Sequence, residues 1–330
     1  MSPATTRLVS ERGRDRAAET RARLAPLACE YPFTPRFFEH PPGSASAGAL
    51  QHYVDEGPRS GEAPAGEAAA GENTGQAVVF VHGNPTWSFA FRRALLALAT
   101  ARRCVAIDHL GCGLSDKPAG FAYRLEAHVA NLERLLLDLQ LERITLVLHD
   151  WGGPIGLGFA RRHPRRIERV VLCNTAAFPL DGRLPLRLSA CRVPVFGALA
   201  VRGLNAFARG ATWMAVERPL TPLAKRGYLL PYDSWANRVA TLEFVRDIPL
   251  SPAHPSWAEL AAIEHALDGF GDVPVHLLWG ARDFVFTPRF LQEWQRRLPH
   301  AAVTRFERAG HYLFEDEPEA FVAELCRALG

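Results

Sequence analysis

Five residues in this 330-residue chain have the types and spacing to do chemistry together. Asp150 stands in LHDWGG, directly after the apolar run ITLVL and just ahead of Gly152 and Gly153. At a sharp strand-to-helix elbow one side chain projects above its sheet, and small residues behind it permit the turn. An aspartate there can equally cap the following helix, so the position alone admits both roles. His311 comes late in the chain, in ERAGHYLFED, and Asp283 lies between the two in LLWGARDFVF. An acid at Asp283 can accept the second ring N–H of His311, fixing its tautomer and stabilising the imidazolium. Its bland alternatives are a loop cap or a pair with Arg282. The other position for such an acid, after the preceding strand, reads Asn174, which carries no charge. Asn84, in VHGNPTW, and Trp151 complete the set. Backbone N–H groups near them are the expected oxyanion donors, and the side-chain amide and indole N–H can hold an anion facing Asp150. Taken singly, Asn84 is a turn residue before Pro85 and Trp151 a packing residue; taken as a constellation they point to a site. His82 and His149 are read as hydrogen-bonded within their loops.

A carboxylate nucleophile selects the reaction class. It is competent toward an sp3 carbon bearing a leaving group and forms an alkyl ester with the enzyme. Substrates must then carry a halide, a strained ring oxygen or a comparable group. If His311 activates a water, that water hydrolyses the ester at its carbonyl carbon.

Such residues need rigid elements to hold them. Apolar runs at Val78 to Val81, Cys104 to Ile107, Ile144 to Leu148 and Val170 to Cys173 read as strands buried on both faces. Helical patterns at Ser88 to Ala99, Leu125 to Leu139 and on to Arg162 alternate with them, which implies parallel βαβ units. The alternation stops at 178–250, a proline-broken helical stretch. It resumes with strands at Val275 to Trp279 and Val303 to Phe306 and helices at Pro288 to Leu298 and Pro318 to Leu329. The order nucleophile, acid, base and this layout give an α/β-hydrolase fold, a mostly parallel sheet flanked by helices with an inserted helical cap. Leu148 departs from the glycine common at its position in serine members. Residues 1–25 read as a flexible or helical extension. Residues 26–177 are the first part of the core, 178–250 the cap and 251–330 the second part of the core. The stretch 57–76 is a low-complexity loop expected to be disordered. The pocket should lie between cap and core.

Composition sets outer limits. With 48% hydrophobic residues the chain can build one large domain. A net charge of +3 gives no reason to expect a nucleic-acid partner. Six scattered cysteines without CxxC spacing suggest reduced, mostly buried thiols in a cytoplasmic protein. No signal peptide or membrane span is visible. The cap carries ten basic and five acidic residues among many apolar ones. It reads either as a packed lid with a solvated arginine face or as an apolar lid that admits alkyl chains or docks at a lipid or protein surface.

The motifs HGNPTWSFAFR, DHLGCGLSDKP, LVLHDWGG, WGARDFVF and AGHYLFED resemble the haloalkane dehalogenases across the whole core. LCNTAAFPL, RGLNAFARGA and PYDSWANRVATLEFVRDIPL resemble the cap of the olefin-forming β-lactone decarboxylases, dehalogenase-like proteins of bacterial long-chain olefin biosynthesis. That resemblance implies conversion of a cis-3,4-dialkyl β-lactone to a cis-alkene and carbon dioxide, with Asp150 as nucleophile, Asp283 and His311 as its partners, and Asn84 and Trp151 as anion donors. It implies a long-chain lipidic substrate, neither cofactor nor metal, and room for assembly with other enzymes of the same biosynthesis. The alternatives are haloalkane dehalogenation and, more remotely, epoxide hydrolysis. The latter resembles HGxP with an aromatic residue where this chain has Asn84, and uses two cap tyrosines. Pro85, Tyr228 and Tyr232 are accordingly the candidate substrate-pocket residues. A non-catalytic scaffold is the remaining class, against which the intact Asp150, Asp283 and His311 argue.

Overall fold

In a computed structural model of the chain, residues 10–58, 75–179 and 184–330 are described. The low-complexity stretch expected at 57–76 lies outside the described residues except at its two ends. Strands β1 (Arg36–Glu39), β2 (Leu50–Glu56), β3 (Gln76–Val81), β4 (Cys104–Ile107), β5 (Arg143–His149), β6 (Ile167–Cys173), β7 (Val275–Gly280) and β8 (Ala302–Phe306) form one sheet. Its order is β1-β2-β4-β3-β5-β6-β7-β8. The first two pairings are antiparallel and the other five parallel.

The apolar runs form the central strands because both faces of the sheet are covered. Val79, Val81, Ile107, Leu146 and Leu148 point to one side and Val78, Phe80, Ala106 and Val147 to the other, as the two-residue period of a strand requires. Helices α3 (Leu125–Asp138) and α4 (Gly152–Arg162) cover the first face, and α2 (Arg92–Leu98) covers the second. The helix expected from Ser88 begins as a 3-10 turn, Ser88–Phe91, before α2. Pairing of Val81 with Leu148 ends β3 and β5 side by side. The His82-Gly83-Asn84 loop therefore lies beside Asp150.

β1 and β2 are less plainly apolar than the central strands, because paired polar residues are buried in and around them among Phe37, Phe38, Leu50, Tyr53 and Val54. His40 hydrogen-bonds Gln51 at 2.9 Å, and Arg103 bonds Asp55 at 2.9 Å. The His52 ring nitrogen Nδ1 donates to Asp108 at 2.8 Å. The N-terminal segment, expected to be a flexible or helical extension, contains α1 (Glu11–Leu24). Ser10 caps it by accepting from the Gly13 N–H, Arg12 pairs with Glu39, Arg16 pairs with Asp116, and Leu24 is buried. Its charges serve as docking contacts to the antiparallel edge of the sheet.

After β6 the chain leaves the core and builds α5 (Leu186–Cys191), α6 (Phe196–Ala198), a π-helical turn (Leu199–Gly203), α7 (Ala206–Met214), α8 (Pro222–Leu229) and α9 (Val239–Arg246). It rejoins the core with α10 (Trp257–Ala266), which packs against α3 and α4, then α11 (Pro288–Arg297), α12 (Leu313–Asp316) and α13 (Pro318–Leu329). Side chains of the loop after β3 clamp the inserted helices down. Trp87 donates to the Gly227 carbonyl at 3.1 Å and Asn84 to the Thr241 carbonyl at 3.1 Å. Of the six free cysteines, Cys104, Cys112 and Cys173 are buried, Cys191 is partly covered, and Cys29 and Cys326 are exposed. The expectation of mostly buried thiols thus holds for half of them.

Asp108 ties the first half of the core together. Besides His52 it accepts from the Ser88 N–H at 2.7 Å and the Leu114 N–H at 2.8 Å. Burial opposes its charge, but His52, His82 and the N–H groups outweigh burial and hold the carboxyl down at about 2. Replacing Asp108 by alanine leaves those buried donors unpaired, and we expect a loss of about 3–5 kcal/mol in chemical denaturation. A loss below about 1 kcal/mol would show that the network is not what anchors this loop.

Candidate active site

Asp150 is the first of two turn residues between the end of β5 and α4. It has φ of +51°, a left-handed conformation that aspartate tolerates better than most residues. The packing behind it demands glycine. A Cβ on Gly152 would stand 1.9 Å from the Val81 carbonyl oxygen, and one on Gly83 would stand 2.1 Å from Asp150 Oδ1. That close approach lets the Asn84 N–H donate to Asp150 Oδ1 at 2.7 Å. The backbone N–H of Trp151 is the second donor to the same carboxylate. The peptide bond from Asn84 to Pro85 is cis.

His311 faces the other carboxylate oxygen, with Nε2 3.9 Å from Asp150 Oδ2. This exceeds hydrogen-bonding distance, so the two side chains face each other without a direct hydrogen bond. The opposite ring nitrogen, Nδ1, donates to Asp283 Oδ2 at 2.7 Å. Asp283 also accepts from Asn174 at 2.9 Å, the Val285 N–H at 2.6 Å and the Phe286 N–H at 3.1 Å. Four donors converge on it and fix its orientation. Asn174 is braced in turn by the Gly280 backbone, donating to its carbonyl and accepting from its N–H. The sequence passed over Asn174 because it carries no charge; in the structure it orients the residue that does. His149 lies beneath the site and donates to the His311 carbonyl at 2.9 Å. His82 bonds the Gly83 carbonyl in its own loop and also accepts from the His109 N–H in the loop after β4.

These residues open onto a cavity of about 920 Å³ between core and inserted helices. Asn84, Pro85, Asp150, Trp151 and His311 all line it. Most of the remaining wall is apolar, with Phe178, Phe207, Met214, Phe286 and Phe290 the largest contributors. The exposed Arg187, Arg289 and Arg296 mark its opening. Tyr228 and Tyr232, expected at the pocket, do not reach it. Tyr228 is buried with its hydroxyl donating to Glu315 at 2.6 Å, and Tyr232 donates to the Thr86 carbonyl at 3.3 Å. Both phenols find their partners in the seam between cap and core, so neither hangs over Asp150. The tyrosine that does line the cavity, Tyr312, adjoins His311. Among the described residues no group of three or more His, Cys, Asp or Glu side chains is arranged to hold a metal ion.

A family model for the alpha/beta hydrolase fold matches residues 76–318. The chain belongs to the α/β-hydrolase family. Within that family it is 45% identical, over 77% of its length and 82% of the other, to the cis-3-alkyl-4-alkyloxetan-2-one decarboxylase of Shewanella oneidensis. It is 40% identical to the protein of the same name from Xanthomonas campestris pv. campestris, over 88% and 94% of the two chains. Haloalkane dehalogenase 2 of Mycobacterium tuberculosis is more distant, at 30% identity over 91% and 96%. Among solved structures, the haloalkane dehalogenase DatA of Agrobacterium tumefaciens C58 superposes with a TM-score of 0.74 at 26% identity, covering 89% of this chain and 97% of that one.

The electrostatics of this α/β-hydrolase site separate its two carboxylates. Burial lifts the Asp150 carboxyl above the usual range, while His311 and the N–H groups of Asn84 and Trp151 pull it partly back. Burial also works against a charged His311, but the Asp283 carboxylate outweighs it and the net shift is upward. Removing that carboxylate removes the largest upward influence on His311. In Asp283→Asn the imidazole should therefore titrate below the wild-type value, read by NMR of ring-labelled histidine. An unchanged His311 titration would mean that Asp283 does not set its charge.

Proposed function

We propose that this enzyme decarboxylates cis-3,4-dialkyl β-lactones to cis-alkenes and carbon dioxide, with Asp150 as its nucleophile. The observation that carries the reading is the Asp150 carboxylate, held at Oδ1 by the Asn84 N–H, in the wall of a largely apolar cavity. Many families present a serine at this elbow. A carboxylate here suits an sp3 carbon whose leaving group departs as an anion. The 45% and 40% identities to named decarboxylases, against 30% for the dehalogenases, support a lactone over a halide. The apolar wall supports long alkyl arms and a place in olefin biosynthesis and lipid metabolism. The six free thiols support a reducing, cytoplasmic compartment.

In the reaction, an Asp150 oxygen attacks the ring carbon that bears the lactone oxygen and inverts it. The C–O bond of the ring breaks, and its electrons leave on the freed carboxylate. The Asn84 amide and the Trp151 indole N–H hold that carboxylate. The bond from carbon to this carboxylate then breaks anti to the Asp150 ester. Its electron pair forms the alkene π bond, the ester C–O bond breaks, and Asp150 regains its charge as carbon dioxide departs. Inversion followed by anti elimination converts a cis lactone to a cis alkene. No proton moves and no water enters. His311, with Nε2 3.9 Å from Asp150 Oδ2, is placed to stabilise the carboxylate at the start and end of the cycle. Asp283 keeps His311 oriented and favours its charged form. Epoxide hydrolysis is disfavoured because Tyr228 and Tyr232 lie away from the cavity, bonded to Glu315 and Thr86.

Incubation with a synthetic cis-dialkyl β-lactone and, separately, with a bromoalkane tests the reading. Alkene is expected from the lactone, with little bromide from the bromoalkane. Asp150→Asn should lose about 10⁴-fold or more in lactone turnover, and Asn84→Ala about 10²-fold or more. Rapid bromide release without alkene formation would replace this proposal with dehalogenation.

A further inference from the structure

We propose that the outer face of the cap, carried by α5, α6, the π turn and α7, docks on an anionic lipid surface. These elements pack on one another in sequence, and each leaves large apolar side chains in solvent. Leu186 is 88% exposed, Phe196 59%, Leu199 57% and Trp213 66%. Val193, Val195 and Leu204 are exposed beside them in the chain. Scattered single apolar residues are ordinary on a protein surface; this many on consecutive, mutually packed elements is not.

Helix α7 makes the point in one element. Phe207, Gly210, Ala211 and Met214, at helical spacing, line the internal cavity. Arg209 and Trp213, four residues apart on the helix, face solvent. A globular helix ordinarily opposes its apolar stripe with a polar one. Here the second stripe carries a tryptophan and an arginine, the pair found where an apolar phase meets charged headgroups.

Charge selects the occupant. Between 184 and 216 the chain has four arginines, Arg187, Arg192, Arg202 and Arg209, and no acidic residue. Arg192 turns inward to the Val245 and Ile248 carbonyls, and Arg202 lies over the Trp235 ring. Arg187 and Arg209 are exposed, and neither forms an ion pair among the described residues. A second copy of the chain would set one cationic face against another, whereas an anionic bilayer complements it. Arg187 also marks the cavity opening, so a docked cap would hold the mouth of the cavity at the lipid. The proposal stands independently of the lactone reading, because vesicle binding can be measured without turnover.

The full chain is sedimented with vesicles of phosphatidylcholine alone and of phosphatidylcholine with phosphatidylglycerol, at low and high salt. Binding is expected to the anionic vesicles and should weaken as salt rises. Arg209→Glu, and Phe196→Ser combined with Trp213→Ser, should each weaken it about fivefold or more. None of these residues lines the cavity. Circular dichroism of the variants checks that they fold. The milder Trp213→Phe should bind yet lose much of the fluorescence quenching by brominated lipid. The proposal is overturned by absence of binding to anionic vesicles, or by folded variants that bind as the wild type does. It is equally overturned if the same substitutions dissolve a dimer or another protein complex while vesicle binding is nil.

Discussion

The hydrogen bond from the Asn84 N–H to Asp150 Oδ1 is the contact on which the rest of the site depends. It requires two parallel strands to end at the same height and their loops to touch. The pairing of β3 with β5 provides the first, and the missing side chains of Gly83 and Gly152 provide the second. The bond commits one carboxylate oxygen to the protein backbone and leaves the other facing His311. It also couples the core to the cap, since the Asn84 side chain donates to the Thr241 carbonyl of α9. One residue thus holds the proposed nucleophile with its main chain and the lid with its side chain.

The buried charges are graded by their partners. Asp283 has four donors and Asp108 has several, and the surroundings of Asp108 hold its carboxyl low. Asp150 has two N–H donors and a histidine beyond hydrogen-bonding distance, so burial prevails and its carboxyl is lifted. A less stabilised carboxylate is a better nucleophile, while a fully satisfied one serves as a fixed countercharge. Asn174 and Asp283 divide one task between two strand ends: the amide orients and the acid carries charge.

The strands and helices around the site were legible because their residues are apolar on both faces or at helical spacing. The triad was legible because few residue types can do its work at those chain positions. What escaped reading were structures built from polar residues that satisfy one another. β2 hides Gln51, His52 and Asp55 in its interior; Gln51 pairs with His40 across the hairpin, and His52 and Asp55 pair with residues far away in sequence. The roles of Tyr228 and Tyr232 turn on which acceptor each hydroxyl reaches, Glu315 and the Thr86 carbonyl, and no local pattern encodes that. Helix α1 reads as a loose, charged segment until the edge of the sheet supplies Glu39 and the nearby loop supplies Asp116 as its partners.

The proposed reaction requires an Asp150 ester that is released by elimination and not by water. Turnover of a cis-dialkyl β-lactone in H₂¹⁸O, followed by mass spectrometry of the peptide containing Asp150, tests this directly. An Asp150 carboxylate that remains unlabelled after many turnovers is the predicted result. Incorporation of ¹⁸O into that carboxylate during alkene formation would contradict it, because elimination breaks only the alkyl C–O bond, whereas water attacking an Asp150 ester or anhydride at the aspartyl carbonyl leaves its oxygen on the enzyme.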